Sequence, residues 1–211
     1  NYYYFGHLIT AVLIKISSVT PSSGYNLMLA TLFGLTFTSV LSLVINVFDN
    51  KKFSLKSSIA GIISASLVSL SGNLTAIYAF FKAYVPAENP VPFWQLPLLP
   101  LSFPNGFWYP NATRFIQFTI HEFPLYSFVV SDLHGHVLDI PIVLLSLALI
   151  FVILLEDKMR KIYIIFISFL LAVMYMTNAW DGIIYALLSV FIFTLLSFYK
   201  RFALKDFISS I

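Results

Sequence analysis

Charge is scarce in this chain: Asp, Glu, Lys and Arg make up 10% of its 211 residues, against roughly 25% in an ordinary soluble domain. That scarcity excludes an ordinary water-soluble domain. Hydrophobic residues reach 59% and aromatics 18%, with a mean hydropathy of +0.90. A core of this size cannot hide so many apolar side chains, so lipid must cover many of them and an integral protein of the cell membrane is expected. Cysteine is absent, which removes a disulfide framework, a thiolate metal site and a cysteine nucleophile together. Also missing are a Walker loop, a dinucleotide fingerprint, a GxSxG elbow and HExxH, so soluble-nucleotide enzymology and zincin proteolysis have no support. The net charge is +3, but the basic residues sit in short clusters between apolar runs and do not form a nucleic-acid surface. The chain opens at Asn1 with neither a charged n-region nor an apolar signal core, and it reads as a segment of a longer protein.

What is present is a series of apolar runs. A spanning helix needs about 20 mostly apolar residues. Residues 25–48 and 59–81 meet this without a charge, and 137–155 carries only Asp139. Residues 162–176 and 183–199 are shorter and are expected to form a helical hairpin around a tight turn at 177–181. Residues 8–19, interrupted by Lys15, are expected to lie on the membrane as an interfacial helix. The fold expected is therefore all-α: a polytopic transmembrane bundle of about five spanning helices, with an interfacial N-terminal helix and a long external loop at 82–136, in one membrane domain over 1–211.

Sidedness follows from the basic clusters. Lys51, Lys52 and Lys56, then Lys158, Arg160 and Lys161, then Lys200, Arg201 and Lys205 fall on one side if the first short helix does not cross, and the positive-inside rule makes that side cytoplasmic. The opposite face receives the N-terminal NYYYFGH, the long loop and the 177–181 turn. Seven of the ten prolines lie from Pro86 to Pro110, together with Trp94, Phe103, Phe107, Trp108 and Tyr109. This composition describes a stiff, irregular aromatic layer and not a further span.

The external face also collects the chemistry. His7, His121, His134 and His136 all fall there, with Glu122, Asp132 and Asp181. Ionisable groups at membrane depth are expensive and by default mark a site. Within SDLHGHVLD, residues 131–139, two geometries are open. A helical start would put Asp132, His136 and Asp139 on one face, whereas an extended start would align Asp132, His134 and His136. Carboxylate plus neutral imidazole suits a divalent cation such as Zn, Mn or Mg, with Glu122 or His121 as a further ligand. The structural alternative is that Asp132 caps a helix and His134 bonds the adjacent loop. In TNAWDG, residues 177–182, Asp181 could cap the last helix while Trp180 anchors at headgroups; alternatively Asn178, Trp180 and Asp181 face a cleft where a sugar stacks and bonds. In GFWYPNATRF, residues 106–115, Arg114 can grip phosphate in a bidentate fashion or contact a lipid headgroup.

NYYYFGHLITAVLIKISSVTPSSGYNLMLATLFG, GFWYPNATRFI, HEFPLYSFVVSDLHGH and TNAWDG occur in that order. On these motifs the chain resembles the YYY-domain family of uncharacterised archaeal and bacterial multi-pass membrane proteins over nearly its whole length. That family usually has proline where this chain has Gly135. The opening segment is also similar to part of the GT-C membrane glycosyltransferases. The second resemblance implies an enzyme that takes a sugar from a polyprenyl-phosphate donor and delivers it at the external face. In that superfamily a carboxylate of the first external loop serves in catalysis, and that loop precedes the segment resembling residues 2–18. The catalytic base therefore goes unnamed, with Asp132 and Glu122 as substitute candidates. The residues expected to bind substrate are Tyr3, Tyr4, His7, Trp108, Arg114, Asn178, Trp180 and Asp181, and those expected to bind metal are Asp132, His134 and His136. A transporter component and a non-catalytic envelope scaffold are the rival readings. The spans offer almost no intramembrane charge for a transport pathway.

Overall fold

Apolar runs in this chain fold as helices whose ends are set by a few polar and cyclic residues. The structure is a computed structural model that describes residues 4–49, 54–72, 113, 118–156 and 160–199. Its helices are α1 Tyr4–Ser17, α2 Pro21–Asp49, α3 Leu55–Leu70, α4 Pro124–Val130, α5 Gly135–Leu155, α6 Lys161–Thr177 and α7 Ala179–Tyr199. No strand occurs among the described residues, and the expected all-α polytopic architecture is what forms.

Several ends differ from the sequence expectation for identifiable reasons. α3 begins at Leu55, ahead of residue 59, because Ser54 and Ser57 cap reciprocally: Ser57 N–H donates to Ser54 Oγ at 3.1 Å and Ser54 N–H to Ser57 Oγ at 3.2 Å. The part of that expected span beyond residue 72 lies outside the described residues. The supposed turn at 177–181 is a single residue, Asn178, with Trp180 and Asp181 already in the first turn of α7. Asn178 closes α6 by donating its N–H to Met174 O at 2.6 Å, and its own carbonyl accepts Gly182 N–H at 3.2 Å to start α7. Its side-chain amide donates to Asp181 Oδ2 at 2.7 Å, so Asp181 is an acidic residue near a helix N-terminus and not the cap. Inside the expected irregular loop, Pro124 opens the short helix α4, where its missing N–H costs nothing. Ser131, left-handed at φ 58°, ends it.

Length separates the helices. Residues 21–48, 135–155 and 179–198 are long and apolar enough to cross a membrane. α3 and α6, at 16 and 17 residues, are apolar but reach only about 24 to 26 Å at 1.5 Å per residue, short of the roughly 30 Å hydrocarbon core. Three full-length candidate spans thus occur among the described residues, and the expected span over 59–81 is described only as far as residue 72. Bulky side chains point outward along them: Leu187, Val190, Phe191 and Phe198 on α7 are 59% to 80% exposed, recurring at helical spacing as a lipid-facing stripe.

The chain divides into two compact units, one of Asn1–Ala65 with Leu133–Ile211 and the other of Ser66–Asp132. In the first, one core layer joins Val143, Leu170 and Met174 with Tyr185, and a second joins Ile150, Ile153, Ile167 and Leu196. Numbers rise along α5 and α7 and fall along α6 between these layers, so α6 is antiparallel to both. Tyr25 at the start of α2 accepts the Leu133 N–H through its hydroxyl at 2.8 Å, which sets the beginnings of α2 and α5 side by side. At their far ends a cavity of about 610 Å³ is lined by Thr38, Ser42 and Asn46 of α2 and by Leu155 and Glu156. α2 and α5 therefore run parallel.

α1 packs against α2, α5 and α6. Gly6 packs on Leu138, in the first turn of α5, and Ile14 packs on Gly24, in the first turn of α2. Both ends of α1 therefore lie beside first turns of neighbouring helices. The second unit holds α4; there His121 N–H donates to Thr113 O at 2.5 Å, and Asp132 N–H to Ser127 O at 2.9 Å.

Candidate functional site

Three motif-bearing segments meet at one end of the first unit: the opening of α1, the first turns of α5, and the Asn178 junction between α6 and α7. Gly6 makes the first of these approaches possible. A Cβ there would lie 2.6 Å from Leu138 Cδ1, so only glycine lets α1 rest on α5 without displacing that side chain. Tyr4 and His7, expected to bind substrate, flank this contact and are exposed.

Asp139 lies next to Leu138, in the second turn of α5. It is 0% exposed, and neither carboxylate oxygen receives a hydrogen bond from an N–H or O–H donor; the group within hydrogen-bonding reach is the Asp181 carboxylate. The charge that acts on it is Asp181, in the first turn of α7, and Tyr185 one turn further along lies within electrostatic reach of both carboxylates. Asp181 is half-buried and accepts only the Asn178 amide among the described residues. The described basic side chains stand elsewhere. Lys15 is in the last turn of α1, Lys56 opens α3, and Arg160 and Lys161 open α6 at the opposite end of the bundle. At that opposite end Arg160 pairs with Glu156 at 3.2 Å, and Tyr163 donates its hydroxyl to Glu156 at 2.6 Å. Burying a carboxylate beside another without a cation opposes the ordinary rule that buried charges are paired or coordinate metals.

His134 and His136 bracket the first residue of α5, their ring centroids 5.3 Å apart and tilted by 43°. His134 occupies the N-cap position with an extended backbone, so neither of the two expected geometries holds throughout: the chain is extended at His134 and helical from Gly135. Asp132 is not the cap. Gly135 is the first helical residue, a position where proline is also well tolerated.

Of the expected binding residues, the structure gathers Tyr4, His7, His134, His136, Asn178 and Asp181 at this end of the first unit. Trp180 is also there but is 66% exposed, which suits a headgroup anchor. Glu122 and Asp132 belong to the second unit. Tyr3, Trp108 and Arg114 lie outside the described residues. Asp139 and Tyr185 were not among the expected site residues. The signal for Asp139 was a lone carboxylate in an otherwise apolar span, whereas Tyr185 gave none.

Facing carboxylates can share a proton, ligate a cation, or divide acid and base roles between them. An all-helical bundle with lipid-facing apolar stripes and a carboxylate pair at one end is a polytopic membrane protein. The chain belongs to a family described as uncharacterised membrane proteins, DUF2298, whose family model matches residues 1–210. No curated protein and no solved structure matches it.

Proposed function

We propose that this chain is the membrane part of a GT-C-like glycosyltransferase that moves a sugar from a polyprenyl-phosphate donor to an acceptor at the external face. The observation that carries this reading is the facing pair Asp139 and Asp181, at the end of the bundle where Tyr4 and His7 also lie. A lipid-linked donor keeps its phosphate at the membrane surface and presents its sugar to groups just inside it. Asp139 is a buried carboxylate whose oxygens are not held by any donor, and such a group is poised to take a proton. In the proposed step the acceptor hydroxyl gives its proton to the carboxylate as its oxygen bonds to the sugar C1, and the C1–O bond to phosphate breaks with phosphate leaving as the anion. Asn178 and the half-buried Asp181 supply hydrogen-bonding groups for sugar hydroxyls, and exposed Trp180 offers an apolar ring at lipid level.

The test is transfer by the full-length protein in proteoliposomes supplied with a radiolabelled polyprenyl-phosphate sugar. Asp139→Asn is expected to lower turnover by about 10²- to 10⁴-fold, the range for loss of a general base, without changing helicity. A parent protein that neither binds nor consumes such lipids would sink the reading and bring the transport and scaffold alternatives forward.

Sidedness is part of the proposal. The three basic clusters support an external position for the Asp139 end, so a cysteine at Asn178 should react with an impermeant thiol reagent added to intact cells, and one at Ser54 should not. Labelling of the Ser54 position from outside would reverse the topology.

A further inference from the structure

We infer that Asp139 and Asp181 together hold a hard divalent cation, of the Mg²⁺ or Mn²⁺ kind, between the second turn of α5 and the first turn of α7. The inference does not require the transferase reading, since it rests on what these side chains are and where they stand. Asp139 is wholly buried, and no N–H or O–H donor reaches either of its oxygens. The group facing it is a second carboxylate, so the site gathers negative charge in a protein where charge is scarce. No Lys or Arg is among the groups that act on Asp139. Among the ways to neutralise such a pair, a cation uses the groups that are present. Two further oxygen-bearing side chains are near: Asn178, whose amide nitrogen donates to Asp181 Oδ2 at 2.7 Å, and Tyr185, within electrostatic reach of both carboxylates. All four are oxygen donors, and sulfur is absent from the set. Oxygen donors select hard cations over zinc or copper, and a small set completed by water suits Mg²⁺ or Mn²⁺ better than Ca²⁺, which takes six to eight oxygens. A shared proton would quiet the repulsion but would leave the Asn178 carbonyl and the Tyr185 oxygen without a role.

The site also differs from the imidazole pair above it. His134 and His136 sit at the very start of α5 with their rings side by side, and nitrogen ligands of that kind favour softer metals. The two sites are separable by substitution.

The experiment is Mn²⁺ binding to the full-length protein in detergent after chelator stripping, followed by electron paramagnetic resonance of the free ion with no sugar donor present. One tight Mn²⁺ per chain, displaced by Mg²⁺, is expected. Asp139→Asn and Asp181→Asn should each weaken it by more than the about 10- to 100-fold that loss of an outer-shell partner costs. Asp181→Asn alters a half-buried residue of the first turn and keeps the assay informative should Asp139→Asn fold poorly. Glu156→Gln, at the opposite end, should bind as the parent does. Absence of bound Mn²⁺ in the parent, or binding lost in His134→Ala while both aspartate variants retain it, would overturn the assignment. Failure of sugar transfer with Mn²⁺ binding intact would count against the transferase and not against the cation.

Discussion

Gly182→Val is expected to be among the most damaging single substitutions in the described bundle. A Cβ at Gly182 would stand 2.6 Å from Tyr175 Cα and 2.8 Å from Tyr175 N. Those are backbone atoms of α6, which no rotamer change can move aside, so the two helices would have to separate just below the Asn178 junction. Overpacking of this sort costs about 1 to 3 kcal/mol, occasionally more, and valine adds two methyl groups to the clash. The lost contact is the close helix approach that small residues permit within a membrane. Thermal unfolding in detergent, followed by circular dichroism, measures it. Gly34 in α2 supplies the control, because a Cβ there meets nothing within 4 Å. Gly34→Ala should be neutral or stabilising by up to about 1 kcal/mol, the helix-propensity difference between the two residues. Equal melting of Gly182→Ala, Gly34→Ala and the parent would show that α6 and α7 are not packed as described.

The second large effect concerns Asp139 and has an unusual sign. In chelator, Asp139→Asn should melt at a higher temperature than the parent. The parent must bury a carboxylate whose two oxygens are unbonded beside the carboxylate of Asp181, and a buried unsatisfied group costs about 1 to 3 kcal/mol, more when charged. Asparagine keeps the shape and removes the charge. Added Mn²⁺ should narrow or reverse the order, because only the parent gains from a ligand that binds the folded state. A parent that outlasts the variant in chelator would mean that Asp139 is already satisfied, and the argument from its isolation would fall.

Much of this architecture was legible in the sequence because lipid imposes a simple rule on composition. The charge-free run of α2 and the nearly charge-free run of α5 announced themselves, and so did the short first helix interrupted by Lys15. What periodicity could not show was any pairing across helices. It offered Asp132, His136 and Asp139 as one face, but Ser131 turns left-handed at φ 58° and α5 starts only at Gly135, so Asp132 never joins that face. The partner of Asp139 is Asp181, on a different helix, and only packing brings the two together. The helix starts were also hidden, since the Ser54–Ser57 capping pair and the double service of Asn178 are local hydrogen-bond solutions that hydropathy does not register.

A one-residue junction constrains how the protein is made as well as how it works. With Asn178 alone between them, α6 and α7 have no slack in which to sit apart, so the pair must be delivered to the bilayer as a folded hairpin. α6 is the shorter member and gains from travelling with an apolar partner four residues longer. Asp181 rides at the tip of that hairpin, already bonded to Asn178, and its local bond screens a charge that an unfolded tip would expose. Biogenesis of this end of the bundle is therefore a single insertion event, and a spacer placed at Asn178 would divide it into two.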